Sequence, residues 1–303
     1  MKAQTFQGFL LTRNWRDTPG GVELELWFTS EQGPICALVQ HQRSVFFLPQ
    51  PQADEALALL NSEFTFETRA LALHDFQRAP VVAFYFSQHR AARRAARQLR
   101  EQGLDPLEAD INPVERYLME RFVCGGARLQ GVPVRRGNYT LLENPLISAA
   151  QFTPTLKLVS FDIETAMDDL HLYSIAVHGR FGGETRSQVF MLGQGADQPY
   201  VTSHSSQEEV LHAFLDWVDA YDPDVLIGWN VVNFDCRYLQ RVCDHLGRRL
   251  LLGRGRRPGH WRELDDDGTR FTVHFPGRVV LDGIELLRAA FYSFESFSLN
   301  HVA

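Results

Sequence analysis

Apolar and polar residues alternate over short stretches in the first fifty positions. Phe9-Leu10-Leu11, Val22 to Phe28, Ile35 to Val39 and Val45 to Leu48 predict strands, with turns at Pro19-Gly20-Gly21 and Gln32-Gly33-Pro34. The period then lengthens. Ala53 to Leu60 predicts a short helix, Val81 to Phe86 a buried strand, and His89 to Gln102 a helix rich in Arg and Ala that Gly103 ends. Asn112-Pro113 opens a helix over Val114 to Phe122, and residues 123–155 read as strands and loops leading to a boundary near Thr153-Pro154.

The second half reads as an α/β unit. Strands are predicted over Leu156 to Ile163, Tyr173 to His178, Gln188 to Leu192 and Val225 to Gly228. Ser206-Gln207-Glu208-Glu209 has the form of a capping box. The helix behind it carries Val210, Leu211, Phe214, Leu215, Trp217 and Val218 at helical spacing. A second helix is expected over Phe234 to Leu246, then a basic loop and a hairpin with Asp266-Asp267-Gly268 at its turn. Glu285 to Phe291 and Ser298 to Ala303 begin two more helices.

Composition narrows the class. With 45% hydrophobic and 22% charged residues the 303-residue chain suits globular domains, two of them by length. No apolar run approaches the roughly 20 residues of a membrane span, and no signal-peptide pattern opens the chain. Cys36, Cys124, Cys236 and Cys243 form no CxxC pair, which argues for reduced thiols in a cytosolic protein. Residues 1–150 hold 16 basic and 16 acidic side chains, so the net charge of −7 belongs wholly to residues 151–303. A bulk acidic field repels nucleic acid, so a phosphate-handling role needs metal-binding carboxylates and separate basic strips. Two such strips exist, Arg90 to Arg100 and Arg248 to Arg262, the second with Trp261 for stacking. Apart from Lys2 and Lys157 the basic residues are all arginine, a bias broad enough to reflect genome composition.

Two carboxylate motifs stand out. Along a strand, Asp162 and Glu164 project from one face while Ile163 points into the other. Adjacent carboxylates repel unless something positive lies between them. The usual occupant is a hard divalent cation, Mg²⁺ or Mn²⁺. Asp235, in Asn230-Val231-Val232-Asn233-Phe234-Asp235, falls at the first turn of a predicted helix, where the dipole favours its ionised form. Each motif alone also suits a solvated strand end or a plain N-cap acid. In this order, at strand and strand–helix junctions, the pair is far more specific than either member.

Phe161-Asp162-Ile163-Glu164-Thr165 and Ile227-Gly228-Trp229-Asn230-Val231-Val232-Asn233-Phe234-Asp235 resemble the first and second proofreading-exonuclease motifs of family B DNA polymerases. Glu115 to Phe122, Gly277 to Asp282 and Ser296 to Ala303 are similar to further segments of that family, so the resemblance covers essentially the whole chain. It implies an α/β and α+β protein. A ribonuclease-H-like exonuclease domain with a mixed sheet would fill residues 151–303, preceded by a smaller α+β N-terminal domain over residues 1–150. It also implies 3′→5′ removal of nucleotides from a DNA primer end with two Mg²⁺ or Mn²⁺ ions. Asp162, Glu164 and Asp235 would be catalytic metal ligands, Asn230 and Phe234 would shape the terminal-nucleotide pocket, and Thr165 would meet the scissile end through its backbone. Further implications are a bacterial, cytoplasmic, nucleoid-associated protein and, for the full-length polymerase, template DNA and a sliding clamp as partners. Asp282, at a predicted strand end, has no family role of that kind and reads as a hydrogen-bonded structural acid.

The chain departs from the family at one point. The family carries a last aspartate four residues after a tyrosine, and no Tyr-x-x-x-Asp occurs here. His260-Trp261-Arg262-Glu263-Leu264-Asp265 matches the His-x-x-x-x-Asp of standalone exonucleases but lies in a loop leading to a turn. The expectation is that the missing aspartate and the polymerase domain follow Ala303, leaving this stretch weakly active or inactive alone. A standalone exonuclease using Asp265 and a catalytically idle DNA-binding module remain as alternatives.

Overall fold

The alternation of the first fifty residues becomes β1 (Gln4–Thr18), β2 (Gly21–Thr29), β3 (Ile35–Gln42) and β4 (Ser44–Pro49) in a computed structural model of the chain, which describes residues 2–167, 169–194 and 197–303. There follow α1 (Ala53–Leu60), β5 (Glu67–His74), β6 (Pro80–Phe86), α2 (His89–Glu101) and α3 (Pro113–Met119). Four short strands close this half: β7 (Gly126–Gly131), β8 (Pro133–Arg136), β9 (Tyr139–Glu143) and β10 (Leu146–Ala149). The chain divides into one unit of Met1–Arg135 with Thr140–Phe152 and another of Arg136–Tyr139 with Thr153–Ala303.

The first unit is strand-rich and has two separate cores. A seven-stranded sheet in the order β10-β7-β1-β2-β3-β9-β8 packs Val22, Leu24, Leu26 and Phe28 against Val114, Tyr117 and Leu118 of α3. Asn112 caps α3 by accepting the Glu115 amide at 3.0 Å, with Pro113 at the first helical position. A three-stranded sheet, β4-β6-β5, buries Phe46, Phe84 and Phe86 against the alanine face of α2. Its edge strand β5 escapes the sequence pattern because nearly all its side chains are exposed, leaving no apolar face to give a period of two.

The second unit holds the carboxylate motifs. Its strands are β11 (Leu158–Thr165), β12 (Leu172–Phe181), β13 (Glu184–Leu192) and β14 (Val201–His204), followed by α4 (Gln207–Tyr221), β15 (Val225–Gly228) and α5 (Arg237–His245). The hairpin β16 (His260–Glu263) with β17 (Phe271–His274), then β18 (Val279–Asp282), α6 (Gly283–Ala289) and α7 (Leu299–Val302), complete it. The order β14-β13-β12-β11-β15-β18 makes a mixed sheet: β11–β12 and β12–β13 run antiparallel, while β11–β15 and β15–β18 run parallel. Val159, Phe161 and Ile163 of β11 meet Phe214 of α4 and Leu239 of α5 in one core. Ser206 accepts the Glu209 amide at 3.2 Å, but Glu209 returns its carboxylate to Ser205, one residue before the expected box partner.

A buried ion cluster fixes the far end of this sheet, where β15 and β18 begin. Asp222, in left-handed conformation at the end of α4, accepts from Arg254 at 2.9 Å and Arg278 at 3.0 Å, and Arg254 also reaches Asp224 at 2.7 Å. Both guanidiniums are almost wholly buried and spend their remaining donors on the carbonyls of Leu252, Gly277 and Pro223. Buried charges survive only when paired and hydrogen-bonded in this way.

Candidate active site

Asp162 and Glu164 stand exposed on one face of β11, between buried Phe161 and Ile163 and at the carboxyl end of the strand. The parallel pairing of β11 with β15 runs from Leu158↔Val225 to Ser160↔Ile227 and stops. β11 continues to Thr165, so its last residues have no β15 neighbour. A buried amide there must find another acceptor, and the Ile163 amide finds Asp235, whose Oδ1 accepts it at 3.1 Å.

Asp235 reaches that edge from an unusual turn. Between β15 and α5 the chain forms a single π turn over Val232–Cys236, closed by the Cys236 amide on the Val231 carbonyl at 2.8 Å. The sequence predicts Asp235 in the first turn of an ordinary α-helix; the extra residue of the π turn instead tucks its side chain inward to 1% exposure. Phe234, the next side chain back, is turned outward at 43% exposure. Asn230 takes a left-handed φ of 58°, which an asparagine tolerates better than most residues. Asn233 accepts the Phe271 amide at 2.7 Å and ties the turn to β17. Gly228 is required just before: a Cβ there would lie 2.8 Å from that of Val231 and 3.1 Å from the Phe161 carbonyl.

Asp282, at the end of β18 and opposite Gly228 in register, locks this turn from the other side. Its Oδ2 accepts the Val232 amide at 3.0 Å and its Oδ1 the Ile284 amide at 3.0 Å, so one buried carboxylate caps both the π turn and α6. The reading of Asp282 as a structural acid matches these bonds. Its part in holding Asp235 had no signal in the sequence.

The acids converge electrostatically. Burial pushes the Asp235 carboxyl up to about 7, and the charge of Asp162 is the next cause, with Asp282 adding to it. The ion pairs of this unit draw on Glu208, Asp216, Asp219, Asp222, Asp224 and Glu285, and among the described residues none reaches Asp162, Glu164, Asp235 or Asp282. Two coupled carboxylates with no cationic partner suit a hard divalent ion. Glu164 shares the face of Asp162 but does not figure in the perturbation of Asp235. Among the described residues no three His, Cys, Asp or Glu side chains stand in a ready-made metal-holding cluster. Thr165 is half-buried at a register shift of β11, where the pairing passes from Glu164↔Ser174 to Thr165↔Leu172. The loop beyond is held by the Tyr238 hydroxyl, which donates to the His171 and Asp169 carbonyls.

Two parts of the basic loop are engaged within the fold. Asp265 lies at the β16–β17 turn, where it accepts the Thr269 hydroxyl at 2.6 Å and the amides of Thr269 and Arg270. Those bonds, the Thr269 hydroxyl first, hold its carboxyl below the usual range and commit it to the hairpin. Three of the six arginines from Arg248 to Arg262 are paired with acids on or just after α4: Arg248 with Glu208, Arg254 with Asp222 and Asp224, Arg256 with Asp216 and Asp219. Trp261 donates to Gln240, packs edge-on against Phe271 and lies under the Arg237 guanidinium, so the ring is engaged within the fold.

Comparison with known proteins agrees with this architecture. Residues 106–302 match the model for the DNA polymerase family B exonuclease domain. Residues 44–104 match the DNA polymerase II insertion domain and residues 8–43 the DNA polymerase II N-terminal domain. The chain is 40% identical to DNA polymerase II of Escherichia coli (strain K12) over 98% of its own length and spans 37% of that relative. It is 34% identical to a DNA polymerase of Thermococcus hydrothermalis over 44% of its length, or 8% of that relative. The structure of the family B DNA polymerase from the archaeon Pyrobaculum calidifontis aligns over 91% of this chain and 36% of the other, with a TM-score of 0.70 at 22% identity. The second unit thus has the ribonuclease-H-like exonuclease fold, and the chain corresponds to the N-terminal and exonuclease part of such a polymerase. It belongs to the exonuclease-domain family of the family B DNA polymerases.

Proposed function

We propose that this chain is the proofreading part of a DNA-directed DNA polymerase, removing nucleotides from the 3′ end of DNA and doing so only weakly when separated from the polymerase domain. The observation that carries the reading is the Asp235 carboxylate on the amide of Ile163, the residue between Asp162 and Glu164, at the uncovered edge of β11 and the carboxyl ends of three parallel strands, where α/β sheets place their ligands. Asp162, Glu164 and Asp235 would hold two Mg²⁺ or Mn²⁺ ions. Bound there, such ions supply an activated water and neutralise charge developing on the phosphate. The protein's own contribution is placement. Ile163 and Asp282 fix the π turn, so Asp235 does not have to be ordered when DNA arrives. Exposed Phe234 offers an apolar face to a terminal base, Asn230 an amide beside it, and Thr165 a backbone turned by the register shift. The same reading assigns primer and template DNA and a sliding clamp as partners of the full-length polymerase in a bacterial cytoplasm, at the nucleoid. Among the described residues no helix is long and apolar enough to cross a membrane.

The test is digestion of a 5′-labelled single strand with Mn²⁺ or Mg²⁺, by the chain and by its Asp162→Asn and Asp235→Asn variants. The expected result is slow shortening from the 3′ end that each variant slows further, by about a hundredfold. Equal rates in all three proteins would overturn the assignment. Absence of both cleavage and Mn²⁺-dependent thermal stabilisation would point to an idle DNA-binding module.

A further inference from the structure

Helix α2 carries a stripe of charge that nothing described above uses. Residues 44–104 contain seven basic side chains, and five of them, Arg90, Arg93, Arg94, Arg97 and Arg100, lie on this one helix. Its opposite face, Ala92, Ala95, Ala96 and Leu99, is buried in the core of the three-stranded sheet, which fixes the arginines outward. Arg90/Arg94 and Arg93/Arg97 are spaced i,i+4, and Arg90/Arg93, Arg94/Arg97 and Arg97/Arg100 i,i+3. Like charges at either spacing weaken a helix. No acid sits in the first turn to offset Arg90 against the helix dipole; the turn is held by Asp17, which accepts the His89 and Arg90 amides.

Compensation within the protein is slight. Arg100 meets Asp105 at only 3.5 Å, Arg94 lies over the Phe64 ring, and Arg90 donates to Gln88. Among the described residues Arg93 and Arg97 have no ion-pair partner. These two, with Arg94, Arg100, Ala109 and Asp110, line a concavity of about 340 Å³. The contrast with Arg248, Arg254 and Arg256 is direct: there each guanidinium has its own carboxylate, here four guanidiniums have Asp110 in the lining and a long contact to Asp105.

We propose that the arginine face of α2 is a docking surface for the sugar–phosphate backbone of duplex DNA, separate from the exonuclease motifs. Guanidiniums grip phosphate oxygens bidentately, and a row of them along a rigid helix follows one strand of a duplex without reading its bases. The residues lining the concavity include no aromatic side chain on which an unpaired base could stack, which distinguishes this face from a single-strand groove. The surface rests on the reading of DNA as the chain's ligand, but it requires no nuclease chemistry.

The experiment is fluorescence anisotropy in EDTA, where metal-dependent cleavage is silent, with a labelled duplex of about 24 base pairs and a single strand of equal length, titrated between about 50 and 200 mM salt. Arg93→Glu/Arg97→Glu is compared with the charge-keeping Arg93→Lys/Arg97→Lys, after circular dichroism has established that both fold. The expected result is duplex affinity lowered about tenfold or more by the glutamate pair, with a salt slope shallower by roughly 2, and a slope preserved by the lysine pair. An unchanged duplex affinity and slope in the glutamate pair would overturn the surface while leaving DNA as the ligand. A loss confined to the single strand would overturn the duplex assignment. Failure of the unmodified chain to bind either DNA would overturn this proposal together with the reading it rests on.

Discussion

The Asp235 carboxylate accepts the amide of Ile163 at 3.1 Å, and so the helix side of the site is joined to the strand that carries Asp162 and Glu164. The bond leaves Asp235 buried beside a like charge, and both effects raise its carboxyl from 3.8 to about 7. Between those values the folded protein binds a proton that the unfolded chain releases. The stabilising contribution is therefore complete below about pH 4 and is lost as pH rises through 7. A shift of that size corresponds to about 4 kcal/mol. Urea unfolding from pH 4 to 8 should show stability falling by a few kcal/mol from this cause, and Asp235→Asn should remove most of the fall. A variant with the same pH slope as the unmodified chain would contradict the assignment.

Asp282 is expected to behave as a clamp. Replacing it with alanine strips an acceptor from the Val232 amide and from the cap of α6, two losses of roughly 1–2 kcal/mol each. Asp282→Asn keeps an oxygen at the same place and should recover about half of the loss or more. Denaturant midpoints measure both. Because the π turn loosens in the alanine variant, divalent-ion stabilisation should weaken as well, although Asp282 is not assigned as a ligand.

Asp265→Ala should leave nuclease rate and metal dependence where they were, since that carboxylate is spent on Thr269 and Arg270 at a hairpin turn. A variant devoid of activity would restore the standalone-exonuclease reading.

Arg254→Ala removes the partner of buried Asp224 and one of the two partners of Asp222. Breaking a buried pair from one side costs about 3–5 kcal/mol. Calorimetry should register a large drop in melting temperature, with Mn²⁺ still raising it by the same increment, because the cluster sits at the opposite end of the strands from Asp162.

What the sequence discloses follows from where a pattern has a period. β11 was legible because Phe161 and Ile163 alternate with Asp162 and Glu164, and α4 because its apolar residues recur every three or four positions. The π turn was not, since one inserted residue between Val231 and Cys236 leaves a run that reads equally well as a plain helix start. Strand β14 lacked a buried face to mark it. The basic loop read as a charged strip because its carboxylate partners lie 30 to 40 residues upstream on and just after α4. Only folding brings them together. The meaning of Asp282 likewise depends on a partner 50 positions away.

The early ending of β15 has an architectural result. Had it continued alongside β11, ordinary ladder bonds would have consumed the Ile163 amide, and no opening would remain for a carboxylate arriving from the next turn. Asp235 can reach Ile163 because a neighbouring strand stops short, so lengthening that strand by even two well-paired residues would zip the opening shut from within.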